Sequence, residues 1–218
     1  MRKSETISLG IILLAFVFSI YFYPSLPEKI AVHWNLKGEV DGYLSKQFAL
    51  FLIPAISLVM LLLFILIPKI DPLRQNIEKF RKYYDGFVVL ITAFLIYVHF
   101  IILSWNLKLR FSIPQVLSPA FAILFCYLGT LTENAKQNWF VGIRTPWTLS
   151  SKKVWEKTHK IGGKLFKICG IIALLGFFFP DLTFLFILVP LLLVCLCTIA
   201  YSYFEYRKEV EKDDKTKP

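Results

Sequence analysis

The sequence predicts an all-α, polytopic integral membrane bundle of six transmembrane helices with both termini cytoplasmic, and three observations carry that prediction. Six apolar stretches, near residues 7–23, 48–67, 86–105, 115–131, 165–180 and 182–204, approach the ~20 helical residues that a ~30 Å hydrocarbon core requires. A mean hydropathy of +0.61 and a hydrophobic content of 56% leave too little polar surface for a soluble helical protein. Runs such as Leu58–Ile67 are apolar on every side, whereas barrel strands would alternate.

The first stretch follows Arg2 and Lys3 as a secretory leader would, but Tyr21-Phe22-Tyr23-Pro24 replaces a small-residue cleavage site, so it reads as an uncleaved anchor. Pro24 and Pro27 then stop the helix and open an outer loop at 24–47. The second and third spans follow, with a short outer loop at 106–114 before the fourth. An inner loop at 132–164 leads to the weakest span, Leu165–Phe179, which holds Gly170 and Gly176 and whose Lys167 must snorkel to the headgroups if the helix begins near Ile161. The sixth span ends in a charged tail, 205–218. This order divides the chain into an N-terminal membrane domain, 1–114, and a second of three spans, 115–218. Tyr83, Tyr84, Trp105, Tyr201, Tyr203 and Tyr206 mark helix ends as aromatic belts do.

The net charge of +10 is sorted by face. Lys and Arg number two at the N-terminus, five in 68–85, eight in 132–167 and five in the tail, against five in the loops between. The positive-inside rule makes the rich face cytoplasmic. Membrane lipids suffice as the partner for this charge, at about 1 kcal/mol per cation beside anionic headgroups, so no direct nucleic-acid contact is implied. Lys108 and Arg110 run against the rule, in a very short outer loop. The four cysteines, Cys126, Cys169, Cys195 and Cys197, lie within spans and have no histidine or carboxylate at ligand spacing, so neither metal nor cofactor is assigned.

Two loops have unusual composition. In the outer one, Pro27, His33, Trp34, Asn35, Gly38, Asp41, Gly42, Tyr43 and Lys46 combine turn formers with aromatic and hydrogen-bonding groups. Asn35 with Gly38, and Asp41 with Gly42, are turn pairs that supply caps and positive φ, so the loop is expected to be folded. His33, Trp34 and Tyr43 then form an outer recognition surface, or Trp34 and Tyr43 simply anchor the loop in headgroups. The inner loop carries Asn134, Asn138, Trp139, Gly142, Arg144, Thr145, Pro146, Trp147, Thr148, Trp155, His159 and Gly162. Arg144 is suited to a bidentate grip on phosphate or carboxylate of a specific ligand, or else it holds a lipid phosphate or caps helix carbonyls. From Ser150 or Ser151 a basic interfacial helix is expected, with Val154, Trp155, Thr158 and Ile161 on one stripe and Gly162-Gly163 ending it.

Asp85, Thr92, His99 and Asn106 recur every seven residues in the third span and share one face, since a helix drifts only about 20° per heptad. Such a polar line faces the bundle interior, because lipid exposure of an ionisable group costs about 2.5 kcal/mol or more. It serves as interhelical hydrogen bonding, or as a seam that receives a peptide or moves a proton.

The inner motif N-W-F-V-G-I-R-T-P-W-T-L-S-S, at 138–151, followed by V-W-E-K-T-H-K-I-G-G, at 154–163, resembles the signature of the SdpI family of bacterial membrane immunity proteins. The outer pattern P-x-x-I-x-x-H-W-N-x-x-G-x-x-D-G-Y-x-x-K, from Pro27 to Lys46, resembles the uncharacterised N-terminal domain that commonly precedes the SdpI region. This resemblance implies a non-enzymatic protein that protects against a secreted antimicrobial peptide toxin and holds a cytosolic transcriptional repressor at the membrane. A small multi-span transporter is the alternative, with Pro54, Pro119 and Pro190 as candidate helix breaks, although intramembrane charges are nearly absent. Neither H-E-x-x-H nor G-x-S-x-G occurs, and no aspartate pair lies within the spans, so an intramembrane enzyme lacks its parts.

Overall fold

The structure is a computed structural model that describes residues 1–35 and 38–215, with side chains to Lys212. Helix α1 (Lys3–Phe22) begins where Glu5 accepts from the Arg2 amide at 2.9 Å, and passes into a 3-10 turn at Tyr23–Ser25. An antiparallel hairpin follows, β1 (Lys29–Trp34) and β2 (Val40–Ser45), and β2 runs straight into α2 (Lys46–Ile70). A short α3 (Arg74–Lys79) turns the chain into α4 (Arg81–Asn106), and α5 (Ile113–Asn134) returns. The last elements are a short α6 (Pro146–Ser150), then α7 (Lys152–Leu174) and α8 (Thr183–Lys215).

Among the described residues six helical segments are long and apolar enough to cross a bilayer, so the chain is a multi-pass membrane protein. Leu62, Leu192 and Leu196, each more than half exposed, face outward where lipid replaces water. Contacts between helix ends sort the loops onto two faces. Arg2 pairs with Glu78 and Asp85, Asp71 bonds to the amide of Trp139, and Ser151 bonds to Glu209, which gathers the N-terminus, 71–80, 135–151 and the end of α8 on one basic face. The hairpin packs against Ile101, Ile102 and Leu103 at the far end of α4, on the opposite face. Helices α1, α2 and α4 pack together, α5 packs along α7, α7 packs on α8, and α4 meets α5.

The fifth crossing departs from expectation. The separate interfacial helix is absent: α7 runs unbroken from Lys152 to Leu174, so its basic first half and its apolar second half are one rod. Gly162 and Gly163 do not end it, because their missing side chains make room. A Cβ on Gly163 would stand 2.6 Å from the Gly129 carbonyl oxygen, and one on Gly170 would stand 2.7 Å from that of Ala122. These glycines bring the α5 and α7 backbones together, as small residues do between membrane helices. A Cβ on Gly162 would meet Ile143 and Thr198 instead. Lys167 is ion-paired with Glu133 of α5. The inner loop accordingly shrinks from 132–164 to the segment between Asn134 and Lys152, and the tail from 205 onward continues α8 as helix to Lys215. At 33 residues α8 is about 50 Å long, well beyond a ~30 Å core.

Candidate functional site

The outer loop is ordered by a ladder with two irregularities. Lys29 pairs with Ser45, Ile30 with Leu44 and Ala31 with Tyr43, but then His33 pairs with Gly42 and Trp34 with Val40, which leaves Val32 and Asp41 as bulged residues. Such bulges re-aim side chains. Here the Asp41 carboxylate bonds His33 Nδ1, and both side chains are exposed. At the tip, Gly38 has φ +76° and donates its amide to the Asn35 carbonyl, while Asn35 Oδ1 accepts from the Glu39 amide at 3.0 Å. Gly42 has no positive φ; it is needed because a Cβ there would stand 2.8 Å from that of His33.

Trp34 does not share the exposed surface with His33 and Tyr43. Adjacent strand residues point to opposite sides, so Trp34 is buried edge-on against Trp105, with ring centroids 5.4 Å apart, while Tyr43 is 58% exposed. Lys46 is buried as well. It closes the base of the hairpin through Glu28 at 3.0 Å and lies over the Tyr23 ring. Pro27 is exposed just before β1.

The heptad line on α4 faces inward, and each polar group on it has a neighbour. Asp85 accepts from Arg81 at 2.7 Å, and Thr92 donates to its own helix at the Val88 carbonyl. His99 is fully buried with Nε2 2.8 Å from Ser19 Oγ. Because that hydroxyl donates to the Leu50 carbonyl, His99 must donate through Nε2, and the chain of bonds ties α4 to α1 and α2. Asn106 does something the heptad spacing did not suggest. Its Oδ1 accepts from the Ala31 amide at 2.9 Å and its Nδ2 donates to the Ala31 carbonyl at 3.0 Å, so one side chain docks β1 as a neighbouring strand would.

On the basic face, the segment after α5 has no regular structure and is held by buried side chains instead. Asn138, fully buried, donates to the carbonyls of Lys136 and Val141 and accepts from the amides of Phe140 and Val141. Thr145 caps α6 reciprocally with Thr148, and Thr145 reaches Ser202 of α8 at 3.0 Å. Pro146 takes the first turn of α6, where its missing amide costs nothing. His159 Nδ1 bonds the Trp155 carbonyl and Nε2 accepts from the Ile143 amide at 3.0 Å, which fixes a neutral ring protonated at Nδ1. Gly142, at φ +118°, lies so close that a Cβ would stand 2.3 Å from His159 Nε2. Trp155 stacks on His159 at 3.9 Å and donates to the Ala135 carbonyl. Asn134 bonds to the Thr130 carbonyl of its own helix.

Most of the inner candidates are therefore framework; Trp139, Gly142, Arg144 and Pro146 are the exposed ones, and of these Trp139 and Arg144 carry side chains able to meet a partner. Arg144 donates to the Trp139 carbonyl at 2.8 Å and directs the rest of its guanidinium outward. Trp147 is half-buried against Tyr203. Composition had not drawn attention to Asp71, which is 2% exposed and holds both the Leu73 and the Trp139 amides. The Asp71-Pro72 dipeptide, a turn initiator, was the available signal. Gln137 was overlooked too; it links the loop to Thr148, Leu149 and Asn76.

A family model described as the SdpI/YfhL protein family matches residues 134–202, and one described as a domain of unknown function (DUF1648) matches residues 10–58. The first region contains the Asn138–Thr148 framework and the second contains the hairpin. Immunity protein SdpI of Bacillus subtilis (strain 168) is 30% identical over 207 residues, covering 94% of this chain and 97% of the relative. No solved structure matches the chain. With the similarity running through all six spans and both structured loops, this multi-pass membrane protein belongs to the SdpI family.

Proposed function

We propose that the chain is a non-enzymatic immunity protein of the cell membrane, which recognises a secreted antimicrobial peptide at the hairpin and presents the basic face to a cytosolic repressor. The observation that carries this reading is the similarity to an immunity protein over 94% of the chain. The geometry supports a route between the faces. Helix α2 begins directly after the hairpin and is capped at its other end by Asp71, whose carboxylate holds the Trp139 amide beside Arg144. Any displacement of the hairpin is thereby conveyed to the inner loop, provided the peptide binds one arrangement of α2 and α4 more tightly than another.

The transporter alternative calls for helices broken at mid-membrane. Pro54, Pro119 and Pro190 lie inside helices α2, α5 and α8, which continue through them.

The test is a toxin challenge of sensitive cells that express the chain, read beside membrane recruitment of a fluorescent repressor. His33→Ala or Asp41→Ala should abolish the toxin response, whereas Arg144→Ala should spare survival and reduce recruitment. Full protection and full recruitment in all three variants would remove the mechanism.

A further inference from the structure

On the hairpin face a cavity of about 670 Å³ opens between the base of β1 and the end of α4, lined by Lys29, Tyr43, Trp105, Lys108 and Arg110. Three of the five cations that the sequence places on this face line it, and no carboxylate does among the described residues. Glu28 is turned to Lys46, and Asp41 to His33. Lys29 and Lys108 have no ion-pair partner among the described residues. Arg110 lies 3.8 Å from the Trp105 ring centre and donates Nη1 to the Trp105 carbonyl at 3.5 Å, which leaves the other guanidinium donors for a ligand.

Backbone strain points to the same place. Lys108 has φ +71°, the one positive value at a described residue other than glycine. It follows the last turn of α4, where its amide bonds the Trp105 carbonyl and that of Leu109 bonds Ser104. Helix ends of this form usually use glycine, because a Cβ is strained there. A lysine at this position keeps a cation at the cavity mouth at the expense of stability, as strained residues at binding sites do. The walls are amphipathic: Tyr43 and Trp105 are rings of the kind that settle at headgroup depth, and Leu26 and Leu107 form the apolar floor.

We propose that this cavity binds the phosphodiester headgroup of an anionic phospholipid in the leaflet on the hairpin side. Arg110 and Lys108 grip the phosphate oxygens, Lys29 closes the far side, and the glycerol and first methylenes rest on Leu26 and Leu107.

The experiment uses the full chain in neutral detergent, titrated separately with short-chain phosphatidylglycerol, short-chain phosphatidylcholine and glycerol phosphate. Binding is read from tryptophan fluorescence and from the thermal midpoint. Phosphatidylglycerol should bind saturably and raise the midpoint, while the other two do neither. Lys108→Gly, which relieves the backbone, should unfold at an equal or higher midpoint without lipid, yet bind phosphatidylglycerol about tenfold more weakly. Lys29→Gln combined with Arg110→Gln should remove what remains. Unchanged affinity in these variants would transfer the lipid to the basic face and overturn the site. Equal binding of phosphatidylcholine would overturn the role of charge, and equally tight binding of glycerol phosphate would make this a site for free anions.

Discussion

The two long loops each combine Asn, Gly and Trp, but they spend their polar groups in opposite ways. Between α5 and α7 the backbone follows no ladder, so Asn138, Thr145 and Thr148, with His159 reaching in from α7, are buried and bonded to main chain. In the hairpin the ladder satisfies the main chain, which leaves His33 and Asp41 exposed and paired only with each other. A loop without a strand ladder uses its side chains as scaffold; a loop with one leaves them exposed.

Substitutions can break or sharpen that contrast. The largest effect is expected beneath the inner loop, at the α5–α7 contact. Gly163→Leu must push two backbones apart and should cost more than about 3 kcal/mol, seen as loss of folded protein after extraction. Within the loops, Asn138→Leu strands two carbonyls and two amides and should cost about 2–3 kcal/mol, with faster hydrogen exchange confined to 136–145. Its counterpart Asn35→Ala, at the tip of the hairpin, should cost about 1 kcal/mol or less by thermal midpoint. Equal losses at the two asparagines would erase the distinction. Asp41→Asn removes one exposed charge pair, so stability should move by less than about 1 kcal/mol while toxin protection falls. Arg144→Ala is the smallest of the series, within about 0.5 kcal/mol by thermal midpoint, and a larger loss would make Arg144 framework as well.

What could be read in advance follows from the same physics. The apolar runs of α2, α4 and α5 lie within a few residues of their expected limits, because lipid sets one length and one composition for a span. The fifth span was misread at Gly162-Gly163, since glycine ends helices in water but marks helix contacts in lipid, and the spacing of Gly163 and Gly170 was the overlooked sign. Trp34 could not be distinguished from Tyr43 by type, because only strand register and two bulges decide which one is buried. The inner motif was recognisable as a unit, but whether Asn138 or Arg144 faces outward depends on which carbonyls lie near, and that is a tertiary fact.

The glycine contact and the Glu133–Lys167 ion pair have a consequence for biogenesis. Six lysines are strung along the first sixteen residues of α7, so this segment partitions poorly from the insertion machinery into lipid alone. Its closest groove and its counter-charge both belong to α5, synthesised a few dozen residues earlier. The fourth span therefore offers the fifth both a close-fitting surface and a counter-charge, so paired insertion of the two is the expected route.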